Sequence, residues 1–141
     1  MNKFTKDYIR EADCEEIQGL RQILKYGDWI LLDNEKILIN KSKGGHCYVE
    51  DENYYSFNPI NKRYIWLPTG DQLTEEILKR CYTYNLNLEC FSEHHCKKPN
   101  CQKWGISIEA DNHVVNHEFN REVWNKDILI AKIKLLKQLL K

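Results

Sequence analysis

The sequence lacks any apolar run long enough to cross a membrane. No stretch approaches the roughly 18 apolar residues that a membrane-spanning helix requires. The opening residues, MNKFTKD, also lack the apolar core of a signal peptide. We therefore expect a protein without membrane contact that is located in the cytoplasm.

An excess of charge of either sign is also missing. Lysine plus arginine and aspartate plus glutamate each number 21, so the formal net charge is zero. A chain with zero net charge has no long-range field that attracts a polyanion. A long nucleic acid is therefore not expected as a partner. Any binding of an anion must use a local patch.

Repeats and low-complexity linkers are absent, and the length suits one domain. A chain of 141 residues lies in the ordinary range for a single domain, and its 42% hydrophobic residues can supply a core. We expect a single domain over residues 1–141. In it, a helix and β-rich part (1–68) shares one core with an α-β-β-α part (69–141).

Hydrophobic periodicity predicts an α+β fold. Apolar residues recur at helical spacing over residues 13–26, 69–82 and 124–140. Short runs rich in β-branched and aromatic residues predict strands at 27–32, 36–39, 47–50, 54–57, 63–67, 86–91, 104–109 and, as a possible further strand, 113–118.

The order of these elements predicts the layout. We expect an N-terminal helix, an antiparallel β meander or small barrel, and then an α-β-β(-β)-α unit that ends in an amphipathic helix. The apolar stripe of that last helix is broad, and a homodimer that covers it is therefore considered.

Thiols and imidazoles gather in one short segment between two predicted strands, at Cys90, His94, His95, Cys96 and Cys101. Zinc prefers these donors, but the segment contains no Cys-x-x-Cys pair. Without a secretion signal, reduced thiols are expected rather than disulfides. We expect no cofactor, with a structural zinc ion as the alternative.

A cysteine hydrolase is a further alternative. Cys14, His46 and Asn58 occur in the order of nucleophile, base and orienting residue that resembles papain-like cysteine peptidases. However, Glu15 and Glu16 follow the thiol directly, and neighbouring carboxylates raise a thiol pKa rather than lower it. No catalytic residue is therefore expected.

Aromatic and basic residues of the first half form a candidate ligand site, at Lys41, Lys43, Tyr48, Tyr54, Lys62, Arg63 and Tyr64. Aromatic faces stack on bases and cations meet phosphates. Glu50 and Glu52 lie in the same region and repel a phosphate chain, which favours a small nucleotide-like ligand over a long nucleic acid. Strand aromatics of this kind also serve as ordinary core residues.

The segment 64–73, YIWLPTGDQL, resembles a motif of small phage and prophage proteins. That motif reads tryptophan, leucine or isoleucine, proline, two variable residues, aspartate, glutamine and leucine. The likeness extends over about residues 29–77, and Gly70 stands where those proteins often carry glutamine. The C-terminal half shows a looser likeness to phage α-β-α sandwich domains.

The motif also has a purely structural explanation. Trp66 can fill a core, Pro68 can end a strand, and Thr69 can cap a helix. The motif by itself therefore names no activity.

The resemblance implies a phage or prophage accessory protein that acts by binding in the cytoplasm of a host cell. Its partner is then a host protein, as for an inhibitor of host defence, or a small nucleotide-like signal that it traps. A small nucleic-acid-binding or zinc-stabilised interaction module is the alternative, and a cysteine hydrolase is the third. Of these classes, an enzyme is the least expected.

Overall fold

The computed structural model describes residues 4–41, 47–50, 52–56, 63–91, 103–120 and 123–141. The fold is α+β, as predicted, with two antiparallel sheets and a C-terminal helix. The chain divides into two compact units, Met1–Thr69 and Gly70–Lys141. That the two parts share one core stays a prediction. Within the part of the chain that the structure describes, no helix is long and apolar enough to cross a membrane.

The first unit contains two short helices and a five-stranded sheet. Its elements are α1 Lys6–Ala12, α2 Glu15–Gln18, β1 Trp29–Leu32, β2 Lys36–Asn40, β3 Cys47–Glu50, β4 Asn53–Ser56 and β5 Tyr64–Leu67. The strand order is β4-β3-β2-β1-β5, and all neighbours are antiparallel. The first four strands form the predicted meander, and β5 returns to the side of β1.

The helical prediction for residues 13–26 is correct only for Glu15–Gln18, which form α2. Helix α1 begins earlier, because Thr5 caps it by accepting a hydrogen bond at Oγ1 from the main-chain N–H of Tyr8 (3.1 Å). Of the apolar residues that suggested the longer helix, Ile17 is buried in α2, whereas Ile23 is 82% exposed in a non-helical segment.

Helix α2 ends at Gln18, and the side chain of this residue binds strand β5. Gln18 Nε2 donates to the carbonyl oxygen of Trp66 (3.0 Å), and Gln18 Oε1 accepts from the main-chain N–H of Trp66 (2.8 Å). Gln18 Nε2 also donates to the carbonyl oxygen of Ala12 (2.8 Å). This amide therefore joins α1, α2 and β5.

A buried polar network holds the segment before β1 against β2. Asp28 is almost fully buried and accepts a hydrogen bond from the main-chain N–H of Lys25 (2.7 Å), while Arg21 Nε lies 3.4 Å from its carboxylate. Asn40, also buried, donates from its side chain to the carbonyl oxygen of Lys25 (2.9 Å). The guanidinium of Arg21 lies 4.8 Å from the ring centroid of Trp66 in the core.

The second unit is an α-β-β-β-α arrangement. Its elements are α3 Gly70–Leu78, β6 Tyr84–Phe91, β7 Lys103–Ala110, β8 His113–Asn120 and α4 Trp124–Leu139. The sheet order is β6-β7-β8, with antiparallel neighbours. The third strand, which the sequence indicated only as possible, is therefore present.

Helix α3 begins directly after Thr69, as the capping pattern predicts, but it ends at Leu78 rather than near Tyr82. The main-chain N–H groups of Tyr82 and Thr83 instead donate to Asp111 Oδ1, at 3.2 and 3.1 Å. Asp111 lies in the β7–β8 turn with φ of 54°, so this turn holds the start of β6.

Helix α4 packs against β7, β8 and α3. Its apolar stripe is buried, with Leu129, Ile130, Ala131, Ile133, Leu135 and Leu136 in the core. The breadth of this stripe, which suggested a homodimer, is therefore used within the chain itself.

Candidate functional site

The apolar face of the three-stranded sheet is only partly covered. A helix is about 10 Å wide and neighbouring strands are about 4.8 Å apart, so one helix covers roughly two strands. Helix α4 packs on β7 and β8. On β6, Leu86 is 38% exposed and Leu88 is 47% exposed.

A cavity of about 220 Å³ lies at one end of this face. It is lined by Leu88 of β6, Trp104 of β7, Phe119 of β8 and Trp124 of α4. The rings of Phe119 and Trp124 are 5.3 Å apart between centroids and tilted by 37°. Four consecutive elements therefore each contribute one apolar side chain.

Strand register explains why these residues meet. Trp104 lies directly opposite Phe119, and Leu88 lies opposite Ile106, two residues along β7 from Trp104. Because side chains alternate between the two faces of a sheet, all of these side chains share one face. Trp124, as the first residue of α4, lies where that helix begins to cross this face.

The size and lining of the cavity restrict its occupant. It exceeds the roughly 150 Å³ that holds a benzene molecule, but it is smaller than the roughly 300 to 1,000 Å³ of most small-molecule sites. The described residues that line it are apolar or aromatic. The cavity therefore suits one ring or one branched aliphatic group.

His117 and Asp127 form a contact between β8 and α4, and they lie near the cavity residues in the sequence. His117 Nε2 is 3.3 Å from Asp127 Oδ1, and both side chains are largely buried. His117 precedes Phe119 by two residues on β8, and Asp127 follows Trp124 by three residues on α4. The contact links β8 to the first turn of α4.

Of the predicted ligand residues of the first half, the structure places Tyr48 and Tyr64 on one face of the five-stranded sheet and Tyr54 on the other. Tyr48 is fully buried, and burial raises its pKa to about 12. Tyr54 is 75% exposed and lies on the opposite face of the sheet from Tyr48, since Tyr48 pairs with Tyr55. Tyr64 shares the face of Tyr48.

Of the four predicted cations, the structure describes Lys41 and Arg63. Lys41 Nζ lies 5.7 Å from the ring centroid of Tyr26, and Arg63 is exposed just before β5. Lys43 and Lys62 lie outside the described residues.

A cation–aromatic pair that the sequence did not indicate lies on β2 and β4. Lys36 Nζ is 3.3 Å from the hydroxyl oxygen of Tyr55 and 4.5 Å from its ring centroid. The hydrogen bond with Tyr55 raises the pKa of Lys36, and the charge of Glu50 acts in the same direction. That nearby carboxylate makes the pair a poor site for a phosphate.

The catalytic alternative stays a prediction. Cys14 is half-buried, and its thiol donates to the carbonyl oxygen of Glu11 at 3.7 Å. His46 and Asn58 lie outside the described residues, so the spacing of the three groups is not tested.

The zinc alternative stays a prediction too. Cys90 belongs to β6, while His94, His95, Cys96 and Cys101 lie outside the described residues. Among the residues that are described, no group of three or more histidine, cysteine, aspartate or glutamate side chains is placed to hold a metal ion.

Comparison with protein-family models, with curated proteins and with solved structures finds no match to this chain. The candidate site therefore stands on its geometry.

The sequence assigned the cavity residues to strands and to the last helix, but not to a site. Trp104 and Trp124 each lie at the start of their element, next to polar segments. Aromatic residues at the ends of elements can indicate a binding site, because a ring at the end of a sheet has neighbours on one side only.

Proposed function

We propose that this protein acts by binding another protein and that it takes one apolar side chain of its partner into the cavity of Leu88, Trp104, Phe119 and Trp124. The cavity volume of about 220 Å³ carries the proposal. Aromatic side chains on both partners are typical of binding hot spots, where a buried anchor fills a pocket.

A protein partner is favoured over the nucleotide signal. A whole nucleotide needs a larger pocket than this one, together with cations for its phosphate. Among the residues that the structure describes, those that line the cavity include no cation. The predicted basic residues Lys41 and Arg63 belong to the other compact unit.

The proposed role is that of a phage or prophage accessory protein. Its support is the resemblance of the segment 64–73 to the motif of such proteins, and it makes a host protein the partner. An inhibitor of host defence is one role of this kind.

A probe that mimics the anchoring side chain tests the proposal. N-acetylphenylalaninamide is titrated into protein labelled at leucine methyl groups and indole nitrogens, and shifts are followed by NMR. Burial of one phenyl group contributes about 1.5 to 3 kcal/mol, so weak binding is expected. We expect shifts confined to Leu88, Trp104 and Trp124, with Trp29 of the first unit unchanged.

Two variants sharpen this test. Leu88→Trp fills the cavity and should abolish the shifts, whereas Val114→Trp, at an exposed position of β8, should leave them intact. Adenosine monophosphate serves as the second probe. Shifts at the cavity with this nucleotide but not with the phenyl probe would overturn the proposal in favour of a nucleotide trap.

A further inference from the structure

Strand β6 is a long edge strand with an apolar side that is open to solvent. It runs over Tyr84–Phe91 and is the first strand of the sheet order β6-β7-β8. Its exposed residues alternate, with Asn85 and Asn87 on one face and Leu86 and Leu88 on the other. Exposed edges of this kind are templates for pairing with another strand.

The alternation makes β6 complementary to a second copy of itself. In antiparallel pairing with a second copy, the strand lies opposite its own sequence in reverse order. When Asn87 lies opposite Asn87, each leucine of the Asn-Leu-Asn-Leu pattern lies opposite a leucine. One face of the joint is then apolar and the other polar, as in the parent sheet.

We propose that two copies of this chain pair through β6 in an antiparallel, two-fold arrangement in which Asn87 lies opposite Asn87 of the partner subunit. In this register Leu86 faces Leu88 of the partner subunit, and the reverse pair is equivalent. The two three-stranded sheets join into one six-stranded sheet, and the contact is isologous, so it closes at two copies.

Other registers are less favourable. A shift that exchanges the faces places leucine opposite asparagine and loses both apolar pairs. Centring the pairing on Glu89 sets two like charges opposite each other, which destabilises a pair of strands. Centring it on Leu88 keeps one leucine–leucine pair, whereas centring on Asn87 keeps two.

Charge does not oppose the association. The segment 84–88 carries no charged residue, and the formal net charge of the chain is zero, so two copies do not repel at long range. An eight-residue edge is a small interface, and we expect a dimer that depends on protein concentration.

The pairing also reaches the rim of the cavity. Leu88 lines the cavity, and Leu86 of the partner subunit lies directly opposite it in this register. The second copy thus adds apolar surface beside the candidate site. The pairing itself does not depend on what the cavity binds.

Complementary charges at the two-fold axis test the proposal. Sedimentation equilibrium of the full chain should show a reversible dimer. Asn87→Lys and Asn87→Asp each set like charges opposite each other, and each should raise the dimer dissociation constant about tenfold or more. An equal mixture of the two variants should recover the dimer as a heterodimer, which a folding defect cannot produce.

Asn116 provides the matched control. It is exposed on β8, and the register Asn87–Ser107–Asn116 places it in the same row at the opposite edge of the sheet. Asn116→Lys and Asn116→Asp should leave the dimer intact. A monomer at all concentrations, or a dimer that only the Asn116 variants disrupt, overturns the proposal. Binding of the phenyl probe is measured in a separate titration, so the two proposals can fail separately.

Discussion

At the scale of single residues, the buried ion pair of Arg21 and Asp28 contributes to the free energy of unfolding of the first unit. Only 1% of the Asp28 side chain and 13% of the Arg21 side chain are exposed. Asp28→Asn leaves the guanidinium without a counter-charge in a poorly hydrated place, and loss of one member of a buried pair costs about 3 to 5 kcal/mol. We expect this loss in the free energy of unfolding, measured with urea and circular dichroism.

The exposed pair of Asp7 and Arg10 supplies the comparison for that variant. Their side chains lie 3.5 Å apart and are 73% and 78% exposed. Because exposed pairs contribute little, Asp7→Asn should change stability by less than about 1 kcal/mol. An equal effect of the two substitutions would show that burial of Asp28 is not what matters.

Tyr48 makes the protein sensitive to alkaline pH. Burial raises its pKa from 10.0 to about 12, so between these values the unfolded chain loses a proton that the folded chain keeps. The stability that Tyr48 contributes is therefore fully present below pH 10 and is lost as the pH rises towards 12. We expect Tyr48→Phe to flatten this fall, measured as the slope of unfolding free energy against pH. An unchanged slope would contradict the assignment.

At the scale of elements, strands were easier to predict than the N-terminal helix. Local alternation marks a strand and nearby turn residues bound it, so β1 to β3 lie within a few residues of their predicted ranges. The helix over 13–26 was misassigned because Ile17 and Leu24 are both buried, yet in different local structures. The hydrogen bonds from Gln18 of α2 to Trp66 of β5 are long-range contacts, which no local pattern contains.

The carboxylate of Asp111 accepts hydrogen bonds that help to link the α3–β6 connection to the β7–β8 turn. Hydrogen bonds from the main chain and then the side chain of Thr83 hold the pKa of Asp111 below its ordinary value of 3.8. The stability that this group contributes is present above pH 3.8 and is lost as the pH falls through its lower pKa in the folded chain.

Asp111→Asn tests this contribution. The amide keeps an accepting oxygen and tolerates the left-handed backbone, with φ of 54°, but it cannot titrate. We expect a lower melting temperature at neutral pH and a smaller further decrease between pH 4 and pH 2 than in the unchanged protein. A melting curve with the same acid dependence as before would contradict this role.

At the scale of the whole molecule, the sequence predicted the fold class and the order of elements, but not the candidate site. Leu88, Trp104, Phe119 and Trp124 come from four elements, and they meet only through strand register and the path of α4. Register depends on pairing across the sheet, which the periodicity of a single strand does not specify. The zinc and peptidase hypotheses stay predictions, because most of their residues lie outside the described residues.

The predicted common core of the two units can be tested through tryptophan. Trp29 and Trp66 belong to one compact unit, and Trp104 and Trp124 to the other. With 5-fluorotryptophan and fluorine NMR, a shared core gives one melting temperature for all four signals. Asp28→Asn should then lower all four together. A decrease confined to Trp29 and Trp66 would show that the units unfold independently.

The amide of Gln18 has a consequence for the solubility of the first unit. Strand β5 is the last strand in its sheet order, and Gln18 occupies both the donor and the acceptor of Trp66, much as a residue of a neighbouring strand does. An open edge invites intermolecular strand addition and fibril growth. At Trp66, a single glutamine side chain thus occupies the main-chain groups that an added strand would need.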